Sequence, residues 1–125
     1  MEIAWIGGDK KERRLACERL EGLHYHVTRM DSLTELAPYL RKATGRTLII
    51  DLDTMPIGKN FFRDLKRTNP DICILGLSSR PFHPELGEAF SQHLYACLKK
   101  PVDMDELLYL LKDKEDRNED SKDEG

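Results

Sequence analysis

Several signatures that would settle a function at once are missing from this chain. No apolar run approaches the roughly 18 residues that a membrane-spanning helix needs. The first residues, Met-Glu-Ile-Ala-Trp-Ile-Gly, put no basic stretch ahead of an apolar one. A secretory leader is therefore not expected, and a cytoplasmic setting is. Cysteine is scarce: Cys17, Cys73 and Cys97 are odd in number and form no C-x-x-C pair. Each lies in an apolar stretch, so small buried hydrophobes in a reducing compartment are expected. His24, His26, His83 and His93 show no ligand spacing with them, which excludes an obvious zinc site. A large positive charge is missing as well. The chain carries −3, and the segment 113–125 (DKEDRNEDSKDEG), with seven acids and three bases, carries −4 of it. Residues 1–112 are left with −3 − (−4) = +1. A near-neutral body gives no reason to expect nucleic-acid binding.

What is present fits one domain. The chain has 125 residues, of which 39% are hydrophobic, enough for one core. Ile3-Ala4-Trp5-Ile6, bounded by Gly7-Gly8, reads as a strand buried on both faces. Asp9 with Glu12 resembles a capping box. It opens a helix expected from about Lys10 to Glu21, with Ala16, Leu20 and Leu23 on one stripe. His26–Met30 alternates as a second, partly exposed strand. Ser32 with Glu35 opens a second helix carrying Leu33, Leu36, Ala37 and Leu40, and Gly45 stands where it should stop. Leu48-Ile49-Ile50 is a third strand ending in Asp51-Leu52-Asp53. Phe61, Phe62 and Leu65 mark a third helix that stops before Asn69-Pro70. Ile72–Leu77 is a fourth strand ending in Ser78-Ser79. Leu86, Ala89, Phe90 and Leu94 suggest a short fourth helix behind Pro81 and Pro84. Tyr95–Leu98 is a fifth strand ending in Lys99-Lys100-Pro101. Asp103 with Glu106 caps a fifth helix, with Leu107, Leu108 and Leu111 on its buried face. The tail 113–125 has no apolar residue and is expected to be disordered, either as a linker or as a solvating tail.

This β-α order, repeated five times, predicts an α/β domain over 1–112: a doubly wound, five-stranded parallel sheet with helices on both faces. Crossovers in such a sheet are right-handed, and functional groups gather at the carboxyl ends of the strands. Four strand ends are informative here: Gly7-Gly8-Asp9, Asp51-Leu52-Asp53, Ser78-Ser79 and Lys100-Pro101. A carboxylate, a hydroxyl and an ammonium converging on one edge suit a phosphoryl group. The carboxylate can accept it, and the other two can bind its oxygens. The same residues have plainer readings. Asp51 and Asp53 can be a polar strand end, Lys100 a structural ion-pair partner of Asp51, and Ser78 a loop hydroxyl. Gly7-Gly8 can form an anion-binding backbone nest, but it is not a G-x-G-x-x-G nucleotide fingerprint.

The stretches LIIDLDTMP (48–56), LSS (77–79) and KKPVDMDELLYLL (99–111), in this order of elements, resemble the receiver domain of two-component response regulators. The resemblance implies a flavodoxin-like fold with strand order 2-1-3-4-5. It also implies a Lys-Pro bond that is commonly cis. Lys100 resembles the phosphate-pairing lysine, and Ser78 the hydroxyl residue that follows the phosphate on activation. The acceptor is Asp51 or, as second choice, Asp53. The family usually has its proline four past the acceptor, whereas Pro56 is five past Asp51 and three past Asp53.

Two departures from the family matter. Receivers normally end strand 1 with two acidic residues that hold Mg²⁺, and this chain has Gly7-Gly8 there. Asp9 follows one step late and reads better as a helix cap, so Asp9 and Asp51 are at most weak metal ligands. Without that ion, phosphoryl transfer loses its charge neutralisation. Receivers also carry an aromatic residue three before the lysine, where this chain has Cys97; Tyr95 lies two further back. No cofactor is therefore expected to be required, and Mg²⁺ only weakly, with phosphorylation.

The first functional expectation is an atypical receiver that regulates an attached or partner output domain by protein contacts. The output can be transcriptional. Homodimers would form through the predicted helix 4, strand 5 and helix 5. The alternative is a conventional acceptor phosphorylated by a histidine kinase on Asp51. An enzyme or ligand sensor on the same fold is the third class. No nucleophile–base pair or phosphate loop supports it.

Overall fold

The computed structural model describes the backbone of residues 2–42, 47–58, 60–79 and 93–124, and side chains as far as Glu115. Five strands arise from the five apolar runs. They are β1 (Glu2–Ile6), β2 (His26–Met30), β3 (Thr47–Asp51), β4 (Cys73–Ser78) and β5 (Ala96–Lys99). All neighbouring pairs are parallel, in the order β2-β1-β3-β4-β5. This is the expected doubly wound, flavodoxin-like sheet.

Alternation along the strands divides the core in two. Ile3, Trp5, Ile49, Leu75, Leu77 and Leu98 face one layer. Ala4, Ile6, Leu48, Ile50 and Ile74 face the other. Because both faces are covered, β3 and β4 are buried along their whole length, and their sequences read as unbroken apolar runs. Edge strands β2 and β5 are only partly buried.

Helix α1 (Lys10–Gly22) and the last helix, α4 (Met104–Glu124), cover the first layer. Helix α2 (Leu36–Arg41) and helix α3 (Phe61–Thr68) cover the second. Asp9 caps α1 by accepting the Glu12 N–H at 2.9 Å. Asp103 does the same for α4, accepting from Asp105 at 2.9 Å and Glu106 at 3.3 Å. Such caps satisfy N–H groups that the first turn leaves unpaired. At its other end α1 closes on a Schellman arrangement. Tyr25 N–H reaches Leu20 O at 3.1 Å and His24 N–H reaches Glu21 O at 3.0 Å. The residue taking the left-handed conformation there is His24, with φ of 73°.

Several details depart from the sequence expectation. The buried stripe of α1 is Arg13, Cys17 and Leu20; Leu23 is exposed. Arg13 can be buried because its guanidinium donates to Met30 O at 2.8 Å and Asp31 Oδ1 at 2.7 Å. The second helix starts as a 3₁₀ turn over Leu33–Glu35, where Ser32 accepts from Thr34 N. Glu35 instead reaches back to Asp31 N–H at 3.1 Å. Gly45 and most of the fourth helix expected over Leu86, Ala89, Phe90 and Leu94 lie outside the described residues; Leu94 itself packs against the second layer. Cys17 and Cys73 are buried as expected, but Cys97, on edge strand β5, is exposed.

The tail expected to be disordered continues α4 to Glu124. A physical reason is available in its composition. Lys, Glu and Arg are strong helix formers. Tyr95 also helps hold the segment: its hydroxyl donates to Asp113, and Lys114 lies 6.0 Å from the centre of its ring.

Candidate functional site: a lysine held between two carboxylates

The carboxyl ends of β1, β3, β4 and β5 meet at one edge of the sheet, and β3 delivers Asp51 there. Its side chain is 2% exposed, and its oxygens have many donors. Oδ1 accepts from the backbone N–H of Asp53 at 2.9 Å and of Thr54 at 3.0 Å. The Thr54 hydroxyl adds a third contact at 3.2 Å. Oδ2 accepts from Lys100 Nζ at 2.7 Å. Lys100 follows β5, and its backbone N–H donates to Ser78 O at 2.9 Å, which fixes it beside the end of β4. The Lys100–Pro101 peptide bond is cis.

Asp53 faces the same lysine. Its Oδ2 lies 3.0 Å from Lys100 Nζ and accepts the Ser79 N–H at 2.8 Å. Its Oδ1 accepts from the Ser78 hydroxyl at 3.3 Å. Partial burial opposes the Asp53 charge. Hydrogen bonds from Lys100 and Ser79 outweigh it and hold the carboxyl far below the usual carboxylate range. For Lys100, burial favours the neutral amine. The hydrogen bonds to Asp51 and Asp53 override this and raise its pKa.

Thus Asp51, Asp53, Ser78 and Lys100, all candidates from the sequence, do converge. Asp9 does not join them as a ligand, because its carboxylate is turned to its own helix. It lines a cavity of about 310 Å³ beside α1, together with Trp5, Arg13, Asp51, Lys100 and Val102. The sequence left Asp51 and Asp53 as alternatives for one role. Both face Lys100, from the two oxygen-rich sides of the same turn.

Gly7 and Gly8 are built into this edge. Their φ angles are 81° and 85°, a region that glycine enters without strain. A Cβ on Gly7 would stand 2.7 Å from Met55 Sδ and 2.9 Å from Thr54 Oγ1. A Cβ on Gly8 would stand 3.0 Å from Asp51 Oδ2. The Gly8 N–H donates to Thr54 Oγ1 at 2.9 Å. The place where a receiver carries its acidic pair is therefore filled by the turn after β3.

The residues present do not fit a Mg²⁺ ion held in the receiver manner. Such an ion needs oxygen ligands in strict octahedral array. Here Gly7-Gly8 offer no carboxylate, and the Asp51 oxygens face N–H, O–H and ammonium donors. Among the described residues no group of three or more His, Cys, Asp and Glu is placed to hold a metal ion. Nor, among them, is any helix long and apolar enough to cross a membrane.

Thr54 escaped the sequence reading as a site residue. It had one detectable signal: an Asp at a strand end commonly accepts from the N–H groups two and three residues on, forming an Asx-turn. Ser79 stood among the informative strand ends without a role, and it hydrogen-bonds Asp53 through its backbone N–H and its side chain. Tyr95, a candidate for the displaced aromatic, packs against the α1/α4 layer.

No protein-family model matches the chain, and no curated protein matches it in sequence. Solved structures do match. The signal receiver domain of an HD domain-containing protein from Pseudomonas fluorescens Pf-5 superposes with a TM-score of 0.81 at 18% identity, covering 98% of this chain and 91% of that one. The beryllofluoride-activated NtrC4 receiver domain dimer gives 0.78 at 19% identity, covering 90% and 94%. Chemotaxis response regulator CheY4 of Vibrio cholerae gives 0.72 at 19% identity, covering 90% and 97%. The fold is that of response-regulator receiver domains.

Proposed function

We propose that this chain is a receiver-type signalling module that acts in the cytoplasm by protein contacts. It regulates an attached or partner output domain, and Mg²⁺-dependent phosphorylation is impaired. One observation carries the reading. Asp51 is buried against four donor groups, and no carboxylate stands beside it at Gly7-Gly8. A phosphoryl donor needs both an available carboxylate oxygen and a counter-ion for the charge that develops. This edge supplies the lysine but keeps the oxygens engaged.

The contacts would be made with an output domain, with a second copy of the chain, or with both. The NtrC4 receiver domain is a dimer in its beryllofluoride-activated form; a homodimer of this chain would use β5, α4 and the segment before β5 where a further helix is expected from the sequence. Direct nucleic-acid binding is not part of the proposal, since residues 1–112 carry only +1. The test is incubation with acetyl phosphate or beryllofluoride in the presence of Mg²⁺. The expected result is no stoichiometric modification of Asp51 and no Mg²⁺-dependent change in Trp5 fluorescence. Stoichiometric acyl phosphate on Asp51 would sink the reading.

A second reading is a conventional acceptor that takes a phosphoryl group from a histidine kinase onto Asp51. The convergence of Asp51, Ser78 and Lys100 favours it. It predicts that Asp51→Asn abolishes signalling in cells, and a fully active Asp51→Asn protein would rule it out.

A further inference from the structure

The environment of Asp53 is that of a bound anion. Donors from two strand ends converge on its carboxylate, among them the Ser78 hydroxyl, the Ser79 backbone N–H and the Lys100 ammonium, at 3.3, 2.8 and 3.0 Å. They come from the ends of two different strands, β4 and β5. A backbone N–H, a hydroxyl and an ammonium around one point make an oxyanion site. The carboxylate in it is supplied by the turn after β3, two residues from Asp51.

We infer that Asp53 serves as an internal substitute for a phosphoryl group, filling the oxyanion site of Ser78, Ser79 and Lys100 and holding the ends of β4 and β5 as a bound oxyanion would. The inference rests on the reading that the chain works without phosphorylation, and it supplies the reason. An anion from solution would have to displace a carboxylate that is tethered next to its site. Tethering gives that carboxylate a high effective concentration, so external anions compete poorly. Asp53 also shares Lys100 with Asp51, so the ammonium neutralises two carboxylates at once. A phosphoryl group on Asp51 would bring further negative charge against the Asp53 carboxylate.

The site is one for oxyanions with a planar or tetrahedral oxygen set: a carboxylate such as acetate, or inorganic phosphate. The experiment is ¹H–¹⁵N NMR of the full chain, as wild type and as Asp53→Ala, titrated with acetate and separately with inorganic phosphate. Removing the side chain should move the Ser79 amide resonance strongly. Acetate, and more weakly phosphate, should return it toward the wild-type position. The wild-type Ser79 amide should need at least about ten-fold more of either anion for any response. The inference is overturned if the Ser79 amide of the variant stays at its wild-type position. It is equally overturned if wild type and variant respond alike to both anions.

A measurement on the wild type alone guards against a variant that does not fold. The wild-type Ser79 amide should show no saturable shift with acetate or inorganic phosphate at millimolar concentration, because Asp53 already holds its N–H; a saturable shift there overturns the inference. These outcomes are separable from the broader reading. Acyl phosphate on wild-type Asp51 defeats that reading, whereas an anion-blind Asp53→Ala protein defeats the Asp53 role alone.

Discussion

Thr54 accepts the Gly8 backbone N–H at 2.9 Å, joining the turn after β1 to the turn after β3. The same hydroxyl donates to Asp51 Oδ1 at 3.2 Å. One side chain thus ties the glycine pair to the buried carboxylate. Thr54→Val keeps the shape and removes both contacts. The expected cost is about 1 kcal/mol, mainly from taking a donor from the buried Asp51 carboxylate, since water can reach the Gly8 N–H. Chemical denaturation gives the magnitude. Faster hydrogen exchange at the Gly8 amide reports the lost tie between the two turns, and an unchanged rate there would refute it.

Lys100 is 21% exposed but faces Asp51, which is 2% exposed. Replacing the ammonium leaves a buried carboxylate without its counter-charge. Lys100→Met should therefore destabilise the fold by about 2–4 kcal/mol. The loss should shrink when Asp51→Asn is added, because the charge that needed the lysine is gone. A double-mutant cycle by urea unfolding measures the coupling; additive losses would mean that the two groups do not depend on each other.

The pH dependence has a definite sign. The folded-state pKa of Asp53 is depressed below its unfolded value. Its contribution to stability is present in full above the unfolded pKa and is lost as pH falls from about 4 through the folded value. Lys100 behaves oppositely. Its folded pKa is raised, so its contribution is complete below the unfolded value and is lost as pH rises from about 10 upward. Urea midpoints of Asp53→Asn should vary less with pH below 4 than those of the wild type. Parallel curves would contradict the assignment.

His24 occupies a left-handed position at the end of α1 with φ of 73°. Glycine adopts that conformation without the Cβ penalty, at some entropic cost in the unfolded chain. His24→Gly is expected to stabilise the protein by about 0.5–1 kcal/mol. A lower melting temperature would show that the His24 side chain makes a compensating contribution.

Introducing a carboxylate at position 7 is expected to be destabilising. The φ of 81° strains any side chain there, at roughly 1–2 kcal/mol. The Cβ also meets Met55 and Thr54 at under 3 Å. Gly7→Asp should lower the melting temperature, and adding Met55→Ala should recover the part due to overlap but not the part due to φ. Equal stability of the single and double variants would show that Met55 moves aside freely.

The sheet was legible because its signals are local. Runs such as Leu48-Ile49-Ile50 announce strands through length and apolarity, and Asp9 and Asp103 announce helix starts through chemistry that spans three residues. The strand-end candidates were legible for a related reason: in a parallel sheet every carboxyl end lies on one edge. What escaped depends on contacts far apart in sequence. Arg13 is buried because Met30 and Asp31 receive it, and no periodicity within α1 reveals that. The sequence favours Asp51 over Asp53 as acceptor, but spacing does not reveal that Lys100 pairs with both. Cys97 looked internal by composition, yet it lies on an edge strand.

The fit between Gly7 and Met55 also fixes an order of events in sequence change. The volume that a side chain at position 7 would occupy is held by Met55. A lineage acquiring an acidic residue at position 7 would pass most easily through a smaller residue at 55 first, since the reverse order meets the steric overlap at full strength. Position 55, which bears no charge and touches no phosphoryl group, thereby sets which neighbouring sequences this protein can reach.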